Sequence, residues 1–319
     1  MMEPVDVVGF EGRWSPATPD PDEVRVVPLP QSRQQEAVDL VCARLPHTTR
    51  GEAGWHFDAP EVFDGLASVE AVDRHGVMLG VGFTGHPHFA PEGRSFQRVV
   101  VAGEHEGRGV GRAIRQALLE RLPAGTTDLV TGTFDDEPRS LEIAGHWGFV
   151  VEEHAIESEL DLSDLPTPVP PPGVTLHVVP DLVFHDAEDV ERMLLASQTN
   201  PEAAQGWLFD LGKLRALLSD NEIPVCVVAR VDGAPAAITV GGVSDATLMI
   251  AYSGVRPEHR GRGLMSLVKQ RAHLAARDVG ATVSRTANEE HNHGIRRINA
   301  SLGYVVHSGV YRMSQRLEG

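Results

Sequence analysis

The sequence predicts an α/β (α+β) protein made of two similar units, and three features carry that expectation. The pattern Glu-His-x-Gly-Arg-Gly occurs twice, starting at Glu104 and at Glu258, 154 positions apart in a chain of 319 residues. Each copy follows a run of strand-forming apolar residues and opens a segment with helical apolar spacing. Between the copies lies DLSDLPTPVPPPGV, residues 161–174, whose five prolines can continue neither a helix nor a central strand. The length suits two domains of about 150 residues each. The expected division is therefore 1–163, a proline-rich linker at 164–173, and 174–319.

The elements of the two units follow one order. In the first, SRQQEAVDLVCARL reads as an amphipathic helix, and VMLGVGFTG and SFQRVVVAG read as strands leading to the first glycine loop. Val110, Ile114, Ala117, Leu118 and Leu122 then form one helical stripe. TDLVTGTF is a further strand, and HAIESELDL alternates like a closing one. In the second unit VTLHVV opens, HDAEDVERMLLAS and the stretch around KLRALLSD read as helices, and PVCVVARVDG and APAAITVGGV form a hairpin through Asp232-Gly233. ATLMIAYSGV is an almost unbroken apolar run, expected to be a central strand covered on both faces. After the second loop, Leu264, Leu267, Val268, Ala272 and Ala275 make a stripe, and TVSRTAN is a strand. The last helices end in His-Trp-Gly-Phe and Ser-Leu-Gly-Tyr, with Gly148 and Gly303 155 positions apart, so the repeat extends well beyond one hexapeptide.

Composition narrows the function classes. Hydrophobic residues make up 41% and charged residues 23%, a globular balance. A net charge of −17 without basic, aromatic-interleaved runs argues against nucleic acid and anionic membranes as partners, and any steering favours a cationic substrate. The start MMEPVDVVGFEGRWSP lacks the basic flank and apolar core of a signal peptide, and no stretch has the length of a membrane span. Cys42 and Cys226 lie in apolar surroundings in different halves, as for reduced thiols, so a cytoplasmic location is expected.

A glycine-rich turn entering a helix points backbone N–H groups at one spot, where they and the helix dipole can hold a phosphate. Arg108, Arg260 and Arg262 add donors suited to a diphosphate. Neither loop is a nucleotide P-loop, because no Lys-Ser or Lys-Thr follows. Neither fits a dinucleotide fingerprint, because the sixth positions are Arg112 and Ser266.

These loops resemble those of the GCN5-related N-acetyltransferases, whose acetyl-CoA loop follows Arg/Gln-x-x-Gly-x-Gly/Ala. The second loop reads Arg260-Gly261-Arg262-Gly263-Leu264-Met265, and the first Glu106-Gly107-Arg108-Gly109-Val110-Gly111. Each departs once, at Met265 and at Glu106. The likeness covers nearly all of both halves and is similar to the tandem type that includes mycothiol synthase. It implies two units, each a curved, largely antiparallel sheet flanked by helices, with acetyl-CoA (coenzyme A) as cofactor. In such proteins the loop amides bind the diphosphate, a splayed strand holds the pantetheine, and the acceptor amine attacks the thioester directly.

Carried onto this chain, the resemblance gives a cofactor set of Val255, Arg260, Gly261, Arg262, Gly263, Leu264, Met265, Asn288 and Asn292 in the second half, with Arg108, Gly109 and Gly111 in the first. The second half is expected to be active. Glu106 would repel a diphosphate, and Asn288, Asn292 and Asn299 are matched by Phe134, Pro138 and Ala144 in the first. The amides near Val255 would polarise the thioester carbonyl. The family's tyrosine acid falls at Asn299 here, so catalytic candidates are Tyr252, Ser253, Asn299 and Tyr304, with Glu258 and His259 as outer choices. The expected acceptor is a small-molecule amine and the expected state a monomer or homodimer. A non-catalytic acyl-CoA-binding or self-protection protein is the competing expectation.

Other signals point to structure. His291 and His293 lack a convincing third ligand, so no metal site is expected. Trp55, Trp147 and Trp207 read as packing residues. No Gly-x-Ser-x-Gly elbow supports a hydrolase.

Overall fold

A computed structural model describes residues 24–57, 62–218 and 223–317. The N-terminal stretch through Pro16 and the Trp55 side chain fall outside the described residues. The first half runs β1 (Arg25–Pro28), α1 (Gln34–Arg44), α2 (Arg50–Trp55), β2 (Phe63–Val72), β3 (Met78–Pro87), β4 (Arg94–Val101), α3 (Val110–Leu119), β5 (Asp128–Phe134), α4 (Pro138–His146) and β6 (Val150–Asp161). The second runs β7 (Val174–Val178), α5 (Ala187–Ser197), α6 (Pro201–Ala204), α7 (Leu211–Ala216), β8 (Ile223–Val231), β9 (Ala234–Ser244), β10 (Thr247–Val255), α8 (Leu264–Asp278), β11 (Val283–Glu289), α9 (His293–Ser301) and β12 (Val305–Arg316).

Local chemistry fixes the boundaries. Thr49 accepts from the Glu52 amide while the Glu52 carboxylate accepts from the Thr49 amide, a capping box that starts α2. Pro138 occupies the first turn of α4, where its missing N–H costs nothing. Asp232 and Gly233 both take positive φ, 49° and 87°, so the β8–β9 hairpin closes through a two-residue turn that matches strand twist.

The strands form one twelve-stranded sheet in the order β1-β2-β3-β4-β5-β12-β6-β11-β10-β9-β8-β7. Pairing is antiparallel except where β4 meets β5 and β10 meets β11. The halves exchange their last strands. β6, from the first half, pairs with β11 from Val283↔Asp161 to Glu289↔Ala155. β12, from the second, pairs with β5 from Val310↔Phe134 to Arg316↔Asp128. The two exchanged strands pair with each other at the centre.

Packing follows the exchange. Leu160 and Leu162 sit in the core formed by β8, β10 and α8 of the second half, while Met313 is buried with Leu129, Ala144 and Phe149 of the first. The proline-rich stretch between β6 and β7 therefore joins halves that are also sewn together through the sheet.

β10 is covered by helices on both faces, as expected: Leu248, Ile250 and Val255 lie in the core with Leu264 and Val268 of α8, and Tyr252 packs on the side of α5. The cover is incomplete at Ala251, which is exposed, and at Met249, which is half-buried. Trp147 packs in the core with Phe149, and Trp207 is enclosed against Phe89 and Phe96, as expected of packing residues. Cys42 is half-buried and Cys226 buried, both free. No metal-holding cluster occurs among the described residues, where His291 instead faces Glu153 at 3.2 Å. No described helix is long and apolar enough to cross a membrane.

Candidate active site

Each half contains one parallel strand pair that opens before its end. β10 and β11 pair from Thr247↔Val283 to Ile250↔Thr286 and then part. At that point β10 shifts register against β9, between Ile250 and Tyr252, so Ala251 is an extra residue that bends the strand away. Beyond it, Tyr252 to Val255 face the ends of β11 across a gap. The Arg256 amide donates to the Ala236 carbonyl at 2.9 Å, so the alternation of an antiparallel ladder turns the Val255 N–H away from β9 and into this gap. The first half repeats the opening after Phe96↔Val130, but β4 keeps unbroken register with β3 there.

The gap leads to a glycine turn. Gly261 and Gly263 adopt φ of 73° and 75°, matched by Gly107 and Gly109 at 72° and 81°. Only glycine takes this left-handed backbone without strain. Gly263 and Gly109 are the N-caps of α8 and α3 and present no capping side chain, so first-turn amides remain for an outside acceptor. The turn, the helix start and the open strand edge suit a phosphate group carrying an extended arm.

The structure spreads the expected site residues over several roles. Arg260 turns back onto the protein: its Nη2 donates to the Ser197 carbonyl at 3.1 Å and Thr199 Oγ1 at 2.7 Å, and its Nε to the Val255 carbonyl at 3.3 Å. It fixes the loop against the end of α5. Arg262 is exposed, 2.9 Å from His259 Nδ1, and Glu258 pairs with Arg256. Leu264 is buried in the core and Met265 packs on its edge. Tyr252 and Ser197 hydroxyls lie 2.6 Å apart, and Ser253 Oγ is 3.1 Å from Thr239 Oγ1. Burial pushes the Tyr252 phenol above its ordinary range, opposed by the Ser197 contact and by Arg260. Asn292 caps α9, accepting from the Ile295 amide, and donates to Glu289.

Asn288 and Asn299 join a buried polar network that the sequence did not reveal. Lys269 Nζ donates to Asn299 Oδ1 at 2.8 Å, and Asn299 Nδ2 donates to Asn288 Oδ1 at 2.7 Å. Lys269 is 0% exposed and Asn299 2%. Burial lowers the Lys269 ammonium from 10.5 to about 7. Beside it, the Tyr304 hydroxyl sits 2.8 Å from His273 Nε2 and 2.7 Å from Ser284 Oγ, and burial pushes its pKa up. Burial, with the charge of Lys269, brings His273 down to about 3. Tyr304 thus serves the core behind the gap. Glu289 was also missed. It is 7% exposed at the open end of β11, where Asn200 donates to it at 3.0 Å.

The first-half loop differs in charge. Glu106 is held between Arg44 of α1 and Arg139 of α4, the latter at 2.8 Å, so its carboxylate is paired instead of facing the turn alone. Arg108 and Gly109 lie at the exposed turn, and Gly111 packs in the first turn of α3 near Val101 and Trp147.

No family model and no curated protein matches the sequence. Solved structures do. A tandem GNAT protein from the clavulanic acid biosynthesis pathway, solved without AcCoA, aligns with a TM-score of 0.73 at 19% identity over 93% of this chain and 99% of its own. A GCN5-related N-acetyltransferase from Sphaerobacter thermophilus gives 0.69 at 13% over 95% and 98%. One from Kribbella flavida gives 0.53 at 19% over 76% and 89%. The chain has the tandem GCN5-related N-acetyltransferase fold, a mixed, mostly antiparallel sheet flanked by helices.

Proposed function

We propose that the chain is an acetyl-CoA-dependent N-acyltransferase that works from its second half on a small-molecule amine. The observation that carries this reading is the parting of β10 from β11 at a bulge, directly ahead of the Gly261/Gly263 turn and the start of α8. An extended pantetheine arm fits such an opened edge, and a diphosphate fits the helix start.

Bound acetyl-CoA would supply a thioester activated for acyl transfer. The amides of Gly263, Leu264 and Met265 hold the diphosphate in this reading, with Arg262 adding charge. The Val255 N–H would be placed to donate to a thioester carbonyl, where negative charge builds up during acyl transfer. Tyr252 and Ser253 line the opened strand and would be the side chains nearest the reacting groups. Glu289 offers a carboxylate to an ammonium acceptor, and Asn299 steadies Asn288 at the rim. The first half then serves chiefly as a structural partner, with Arg108, Gly109 and Gly111 a vestigial loop. The reading places the protein in the cytoplasm as a monomer or homodimer.

Thiol release from acetyl-CoA across a panel of primary amines tests it. Amine-dependent release, reduced in Tyr252→Phe, is the expected result. Release that never exceeds the hydrolysis background would favour the non-catalytic acyl-CoA-binding alternative, which the lack of a tyrosine at Asn299 motivates.

A further inference from the structure

We propose that Lys269 is a positioning residue: it fixes the direction of the hydrogen bonds in the chain Lys269–Asn299–Asn288, so that Asn288 offers an N–H donor to the gap between β10 and β11. The role rests on the reading of the second half as an acyl-CoA site. Lys269 lies on α8, six residues past Gly263, which is about 9 Å along the axis at about 1.5 Å per residue. Asn299 lies on α9, and Asn288 on β11 two residues beyond the last β10–β11 pair, Ile250↔Thr286. The three side chains thus tie the helix that starts at the glycine turn to the open edge of β11. Asn288 shares a face of its strand with Ser284, whose Oγ meets Tyr304 beside Lys269, so it stands on the α8 side of the sheet. An extended arm running from the turn into the gap on that side passes Asn288.

Donor and acceptor roles follow from the lysine. An ammonium only donates, so Asn299 must turn Oδ1 toward it, at 2.8 Å. Asn299 Nδ2 is then committed to Asn288 Oδ1, at 2.7 Å. Asn288, half-buried, has its carbonyl turned inward, and its amide nitrogen, which bonds to none of the described residues, is the donor left over. The arm of coenzyme A carries amide carbonyls, which need a donor. With the chain reversed, Asn288 would meet them with a second carbonyl and the bond would be lost. The two ends of an asparagine amide are nearly the same size, so packing alone does not choose between the two directions.

The surroundings leave this choice to Lys269. Among the described residues no carboxylate pairs with its Nζ, and its other neighbours are the Tyr304 ring at 5.3 Å and His273 one turn further along α8. His273, brought down to about 3, and Tyr304, pushed up by burial, both stay neutral through the physiological range, and Ser284 does not titrate. Lys269, at about 7, changes charge within it. A neutral amine has a lone pair and also accepts, so the fixed direction is strongest below 7 and relaxes above it. A buried ammonium that costs stability yet orders a polar chain at the rim of a binding gap is explained by what it orients.

Calorimetric titration of acetyl-CoA into the full chain, Lys269→Met, Asn288→Ala and the double variant, at about pH 6 and about pH 8, tests this role. Lys269→Met is expected to bind about fivefold more weakly at the lower pH and about twofold more weakly at the higher, while its thermal midpoint holds or rises. In the Asn288→Ala background the same substitution should change affinity by less than about twofold. The affinity of Asn288→Ala should also depend less on pH than that of the unaltered chain, a comparison that leaves Lys269 in place. Equal losses in both backgrounds, a loss that ignores pH, or undiminished binding by Lys269→Met would overturn the role and leave acyl-CoA binding standing. No binding of acetyl-CoA by the unaltered chain would overturn both.

Discussion

Lys269 reaches across from α8 to donate a 2.8 Å hydrogen bond to Asn299 of α9, in a place fully closed to solvent. A base buried in this way is easier to leave neutral than to charge. Its pKa of about 7 in the fold lies well below the 10.5 of an exposed lysine. Between those values the unfolded chain holds a proton that the folded chain has released, so stability rises as pH climbs from 7 toward 10.5. Below 7 both states are protonated and the full cost, on the order of 5 kcal/mol, stays constant. Urea midpoints measured from neutral to alkaline pH should show this rise in the unaltered protein and a flatter course in Lys269→Met. Parallel curves would mean that Lys269 is solvated.

Gly254 is expected to tolerate no side chain. A methyl group there would collide with Ser197 Oγ and the Tyr252 hydroxyl, which already contact each other at 2.6 Å. Gly254→Ala should cost roughly 1–3 kcal/mol by overpacking and displace Tyr252. Its thermal midpoint and its amine-dependent thiol release should fall together. A change that left both untouched would place Tyr252 outside the reaction.

Glu106, next to the first glycine turn, pairs with two arginines, Arg44 and Arg139. Glu106→Gln should change stability by less than about 1 kcal/mol, because exposed ion pairs contribute little. It should nevertheless tighten coenzyme A binding to the first half severalfold, measured in a Gly263→Glu background. Unchanged binding would show that charge is not what weakens that loop.

The strand exchange makes each half depend on the other. Without β12, Met313 leaves the core around Leu129 and Phe149, and β5 loses an edge partner. A fragment ending at residue 173 should therefore be aggregation-prone or lack a cooperative unfolding transition, and co-expression with the remainder should restore it. A monomeric, cooperatively folding fragment would contradict the packing described above.

The glycine turns were legible in the sequence because left-handed backbone at Gly107, Gly109, Gly261 and Gly263 demands the residue itself. The β8–β9 hairpin was legible for the same reason at Asp232-Gly233. The exchange was not, since β6 alternates in a way that would suit either sheet edge, and β12, whose exposed and buried positions come in blocks, was not read as a strand at all. Nor were β1, β2 and α2 read as elements. Phe63–Val72 mixes exposed and buried positions without regular alternation. Lys269 and His273 escaped notice because charged residues within a helical pattern normally mark its wet face, whereas here they point into the core. Asn288 and Asn299 were singled out, but the contact that joins them depends on the packing of α9 against β11.

The most direct measurement is calorimetric titration of acetyl-CoA into the full chain, Gly263→Glu and Gly109→Glu, with folding of each variant checked by thermal unfolding. Loss of binding and of thiol release in Gly263→Glu, with both largely kept in Gly109→Glu, is the expected result. The reverse pattern would move the reaction to the first half and contradict the assignment.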